Sequence, residues 1–125
     1  MPFAYWCVLV AALLPLAVVA YAKAGPEGDN HHPRAGLDRL PPARQRAYAA
    51  HQNGYENFPF FAAAVIIAVT SGASQPALNA LAAAYVLLRV LHAALYIGDV
   101  ATARSFAYLA GLVVNIAIFV LPAFR

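Results

Sequence analysis

Hydrophobic positions along this chain fall into four long runs: Pro2 to Ala22, the later part of a segment from Arg44 to Thr70, Pro76 to Gly98, and Ser105 to Phe124. Each segment is near the ~20 residues that a helix needs to cross a hydrocarbon core. The pattern predicts a single domain, 1–125, with helices over about 2–23, 44–71, 76–98 and 103–124 and a polar connection over 24–43. The second helix starts wet and ends in oil. Arg44, Arg46, His51, Asn53 and Glu56 crowd its first half, and nothing ionisable lies between Phe58 and Thr70. A soluble amphipathic helix would spread its charges along one face for its whole length.

Polar positions inside the runs recur on single faces. At about 100° per residue, Arg46, Asn53 and Glu56 share an arc of ~80°, and Tyr85, Arg89, His92 and Tyr96 share one of ~60°. In the last helix Arg104, Tyr108, Gly111 and Asn115 form a third narrow stripe, with Ser105 to one side. Depth can be counted too. At 1.5 Å per residue, Glu56 lies about 15 Å beyond Arg46, and Arg89 about 14 Å below Gly98 at the same end of the bundle. The two charges are therefore expected level and paired, because a lone charge near mid-bilayer costs on the order of 2.5 to 3.5 kcal/mol. Asn53 and His92 are expected one turn nearer the mouth, and Tyr96, Tyr108, Arg104 and Ser105 around it. A Glu56–Arg89 pair alone would read as bundle glue. The wider column of polar groups reads as the lining of a substrate or ion path.

Composition agrees with a bilayer. The chain is 63% hydrophobic and 10% charged, against roughly 25% charged in soluble domains. The first run carries no Lys or Arg ahead of it and is read as a membrane helix in place of a cleaved leader. Lys23, Arg34, Arg39, Arg44 and Arg46 flank the first loop and Arg104 the third, while the second loop has no charge. Basic loops stay in the cytoplasm, so loops one and three are expected there and both termini outside, in an inner-membrane protein. The net charge of +3 is this topological signal, and no nucleic-acid partner is expected. Cys7 is the only cysteine, so no intrachain disulfide can form, and it is expected to pack or to face lipid. The loop motif DNHHPR, from Asp29 to Arg34, invites a metal reading. Adjacent histidines point apart, however, and no second ligand pair supports them, so the loop reads as a cap over headgroups or a pocket and no metal is expected.

Three motifs carry a family resemblance. RAYAAHQNGYENFPF from Arg46 to Phe60, RVLHAALY from Arg89 to Tyr96 and ARSFAY from Ala103 to Tyr108 resemble the MAPEG family, the membrane-associated proteins of eicosanoid and glutathione metabolism, and its bacterial branch most. The resemblance spans essentially the whole chain. It implies an all-α, integral membrane four-helix bundle assembled as a homotrimer, with glutathione bound between neighbouring subunits near the cytoplasmic face. Carried over position by position, it implies that Asn53, Glu56, Arg89, His92, Tyr96 and Tyr108 hold glutathione, and that Arg104 and Ser105 act on the thiol. It departs at Ala49, where family enzymes carry an arginine that clamps a carboxylate. The function so implied is glutathione-dependent transfer or peroxide reduction on a lipophilic small-molecule substrate arriving from the lipid. The alternative is a non-catalytic membrane scaffold or ligand-binding protein of the same fold. A small transporter is disfavoured by the lack of an inverted repeat or a broken helix.

Overall fold

The computed structural model describes residues 1–25, 31 and 36–124. Four long helices carry the chain: α1 (Phe3–Ala22), α2 (Pro42–Thr70), α3 (Gln75–Ile97) and α4 (Ala101–Val120). A 3₁₀ turn over Leu37–Arg39 precedes α2, and another over Leu121–Phe124 extends α4. The protein is all-helical among the described residues, as the run pattern requires. The DNHHPR motif, apart from His31, lies outside them.

Local chemistry fixes where the helices begin and end. Pro42 opens α2 and Pro76 lies in the first turn of α3, where a missing N–H leaves no hydrogen bond broken. The chain leaves α2 through Gly72 at φ 79°, with Gly72 N donating to Val69 O and Ala73 N to Ala68 O. This paired closure satisfies the terminal carbonyls, and it requires a left-handed residue just past the helix end. Helix α3 ends the same way, with Asp99 N on Tyr96 O and Val100 N on Leu95 O. There the left-handed position, φ 60°, belongs to Asp99 and not to a glycine. Arg46 adds a tie between helices by donating from Nε to Ile97 O at 3.1 Å, which sets the start of α2 level with the end of α3.

Helix α1 packs mainly on α2, and α3 mainly on α4. The larger core cluster joins small residues such as Ala4, Cys7, Ala11, Ala64 and Ala82 to Phe61, Leu78 and Ile118. Small side chains let backbones approach, which is how helices associate where lipid removes the hydrophobic drive. Gly54 is the sharpest case, because a Cβ built there would lie 2.9 Å from Pro15 Cγ on α1. Outward-facing residues are large and apolar, among them Leu13, Leu87, Leu109, Val113 and Phe119, each about half exposed or more. Among the described residues three helices, α1, α3 and α4 with its terminal turn, are long and apolar enough to cross a membrane. Helix α2 has the length, 29 residues, but its first half is too polar to qualify by composition. It can share the bilayer only by turning polar groups toward its neighbours.

Candidate functional site

Helices α2, α3 and α4 enclose an open cleft of about 290 Å³ lined by Asn53, His92, Tyr96, Arg104, Ser105 and Tyr108. These six were expected around one hollow from helical phase and depth alone. A part-buried contact behind the cleft wall ties Asn53 of α2 to α3. Arg89, only 7% exposed, donates from Nη2 to Asn53 Oδ1 at 2.7 Å. Asn57 donates from Nδ2 to Asn53 O at 2.8 Å and to Asn53 Oδ1 at 3.3 Å. A guanidinium can only donate, so it fixes the amide oxygen of Asn53 toward itself and leaves the NH₂ group for the cleft.

The expected ion pair between Glu56 and Arg89 does not form. Glu56 is exposed and lines a second depression on the other side of α2, of about 310 Å³, with Tyr48, His51, Gln52 and Tyr55. His51 shares that depression with Glu56. The depth arithmetic placed the arginine within a turn of its true partner. A long side chain can reach a full turn toward the wet end, and Arg89 uses that reach to meet Asn53. Asn57 was not anticipated as a site residue. Its place four residues after Asn53 was the available signal, because that spacing lets two amides hydrogen-bond on one helix face.

On the α3 side, His92 is 3% exposed and its ring is flanked by Tyr96, edge-on at 5.7 Å, and by Tyr108 at 6.2 Å. His92 Nδ1 is buried with no hydrogen-bond partner. Arg104 enters from the first turns of α4 with its guanidinium carbon 4.4 Å from the Tyr96 ring centre. Ser105 and Tyr108 are exposed at the rim. Tyr85, which shares the polar face of α3 by helical count, is withdrawn into the core, stacked on Phe61 at 4.0 Å with the rings 15° apart. Asn115 is also buried, at 2% exposure. Beside Arg89, a cavity of about 20 Å³ lined by Pro15, Gly54 and Tyr85 among others is close to the space one water requires. Among the described residues no three His, Cys, Asp or Glu side chains converge as a metal site would require.

The model of the MAPEG family matches residues 3–124. The chain belongs to the MAPEG family. No curated protein and no solved structure matches it. Members of the MAPEG family are membrane proteins that include glutathione transferases and others, which agrees with the three described helices long and apolar enough to cross a membrane. The cleft carries one arginine, one serine, two tyrosine hydroxyls, an asparagine amide and an imidazole. Such a set offers several donors and a single positive charge, and it contains no carboxylate.

Proposed function

We propose that this protein is a glutathione-dependent membrane transferase or peroxidase acting on lipophilic electrophiles. The observation that carries the reading is the placement of Arg104: its guanidinium faces a cleft without a carboxylate, beside hydroxyls at Ser105 and Tyr108. A cation of this kind favours a thiolate over a thiol, and the thiolate is the nucleophile. In transfer, thiolate sulfur forms a bond to an electrophilic carbon while the leaving group departs with its electron pair. In peroxide reduction the thiolate attacks one oxygen, the departing alkoxide takes up a proton from solvent to leave as the alcohol, and a second thiol converts the resulting sulfenic acid to a disulfide with loss of water. Ser105 donates a hydrogen bond to the sulfur, Asn53 and His92 orient the peptide, and the apolar substrate arrives sideways from lipid.

Glu56 belongs to this reading through assembly. Ten residues past Arg46, it sits about 15 Å into the bundle, exposed in the single chain, where lipid contact would be costly. A neighbouring copy in a homotrimer would cover it, and its carboxylate would then face the ligand amine across the subunit boundary. The basic residues around the first and third loops support a cytoplasmic mouth in an inner membrane, with both termini outside and α2 as the fourth span. A second reading, a scaffold or ligand-binding protein without catalysis, is favoured by a cleft whose lining holds a single cation, Arg104, and by Ala49 at the position where the resemblance implies a carboxylate-clamping arginine. Calorimetry with glutathione and a conjugation assay of wild type against Arg104→Ala separate the two. Heat of binding and a rate that falls by roughly tenfold or more, the scale of losing one charge-stabilising group, support the enzyme. Equal rates remove Arg104 from the mechanism, and no binding at millimolar ligand supports the scaffold.

A further inference from the structure

We infer that Tyr96 is the positioning residue for Arg104, acting through the face of its ring and not through its hydroxyl, and so holding the guanidinium at the cleft while leaving its charge unneutralised. The inference rests on the proposed function for its catalytic consequence, and on the geometry alone for the stack. The Arg104 side chain makes no hydrogen bond or ion pair among the described residues, and its guanidinium carbon lies 4.4 Å from the centre of the Tyr96 ring. Its position argues against chance. Arg104 lies in the first turns of α4, where the helix dipole presents its positive end and disfavours a cation. Something must offset that, and a carboxylate is the usual device. A carboxylate would also occupy the N–H donors and cancel the charge that an incoming anion needs. A ring face attracts the cation electrostatically and leaves the in-plane N–H groups of the planar guanidinium open to a ligand.

The ring is itself held. His92, buried between Tyr96 and Tyr108, meets the Tyr96 ring edge-on at 77°, a favourable arrangement for two aromatic rings. The order His92, Tyr96, Arg104 therefore runs from the buried face of α3 to the mouth, each group seated on the one before. This accounts for an aromatic at Tyr96 without calling on its hydroxyl.

Two measurements on the full-length protein in lipid nanodiscs test it. The first needs no ligand: melting temperatures of wild type, Tyr96→Leu, Arg104→Met and the double variant, with a parallel set built on Tyr96→Phe. A stack predicts that the Tyr96→Leu and Arg104→Met shifts are non-additive by roughly 2–4 °C, and that Arg104→Met costs the same in the Tyr96→Phe background as in wild type. Additive shifts in the leucine set would overturn the stack. The second measurement titrates the thiol of bound glutathione by its thiolate absorbance and follows conjugation rate. Tyr96→Leu should move the titration to higher pH and lower the rate by roughly tenfold, with Tyr96→Phe restoring both toward wild type. A Phe variant as impaired as the Leu variant would assign the role to the hydroxyl and end the proposal. Wild type that binds no glutathione would refute the proposed function, and the melting cycle would still decide the stack.

Discussion

A guanidinium buried in a helix bundle has to be answered by an acceptor, and for Arg89 that acceptor is the neutral amide of Asn53. Hydrogen bonds to charged groups contribute about 1.5–3 kcal/mol, and removing one partner of a buried pair costs more than removing both. Asn53→Leu should therefore destabilise by roughly 3 kcal/mol, because Arg89 is left charged and unanswered. Arg89→Met alone should cost less, and Arg89→Met combined with Asn53→Leu should recover part of the loss. Detergent unfolding of the three variants checks the order. An Asn53→Leu protein as stable as wild type would mean that Arg89 finds another acceptor. The same contact explains a limit of sequence reading. Helical phase placed Asn53 and Arg89 on facing stripes, but counting in steps of 1.5 Å cannot say which way a long flexible side chain will lean. The reading paired Arg89 with the only carboxylate at its level, and the structure pairs it one turn higher.

At the scale of elements, two backbone positions make opposite predictions. Gly54 sits against Pro15, and an added methyl would come within 2.9 Å of Pro15 Cγ, a ring atom with little room to move. Gly54→Ala should destabilise by about 1–3 kcal/mol, the usual cost of overpacking, and Pro15→Ala should partly rescue it. Asp99 is the converse: it holds the left-handed position that closes α3, which glycine adopts without steric cost. Asp99→Gly should raise stability by up to about 1 kcal/mol, read as a higher melting temperature. Much of this layer was legible beforehand. Four helices and their polar faces followed from runs and periodicity, because in a bilayer every backbone polar group must be satisfied within its own helix. The close approach at Gly54 was not legible, because it depends on Pro15 of another helix arriving opposite it. Nor was the withdrawal of Tyr85 into the core, which Phe61 stacking decides.

For the whole molecule, the two depressions flanking α2 pose the remaining question. The cleft holding Arg104 is basic and hydroxylic, whereas the depression around Glu56 is acidic and aromatic, and both open outward from a single chain. Surfaces of opposite character on either side of one helix are complementary under rotation, which suits a closed ring in which each copy meets the next by a different face. In that arrangement Glu56 would be removed from lipid, as its depth demands. Glu56→Lys should then weaken assembly, because a cation placed in the boundary would face its neighbour's basic cleft. Glu56→Gln should leave assembly nearly intact while weakening the binding of an amine-bearing ligand. Mass measurement of the protein released from nanodiscs reads the first effect, and calorimetry with glutathione against its N-acetylated form reads the second. If Glu56→Lys assembles as wild type does, the carboxylate is not at a subunit boundary, and its exposure must be met by headgroups or water at the mouth. If Glu56→Gln loses assembly as well, the carboxylate serves the contact itself and the ligand amine has no claim on it.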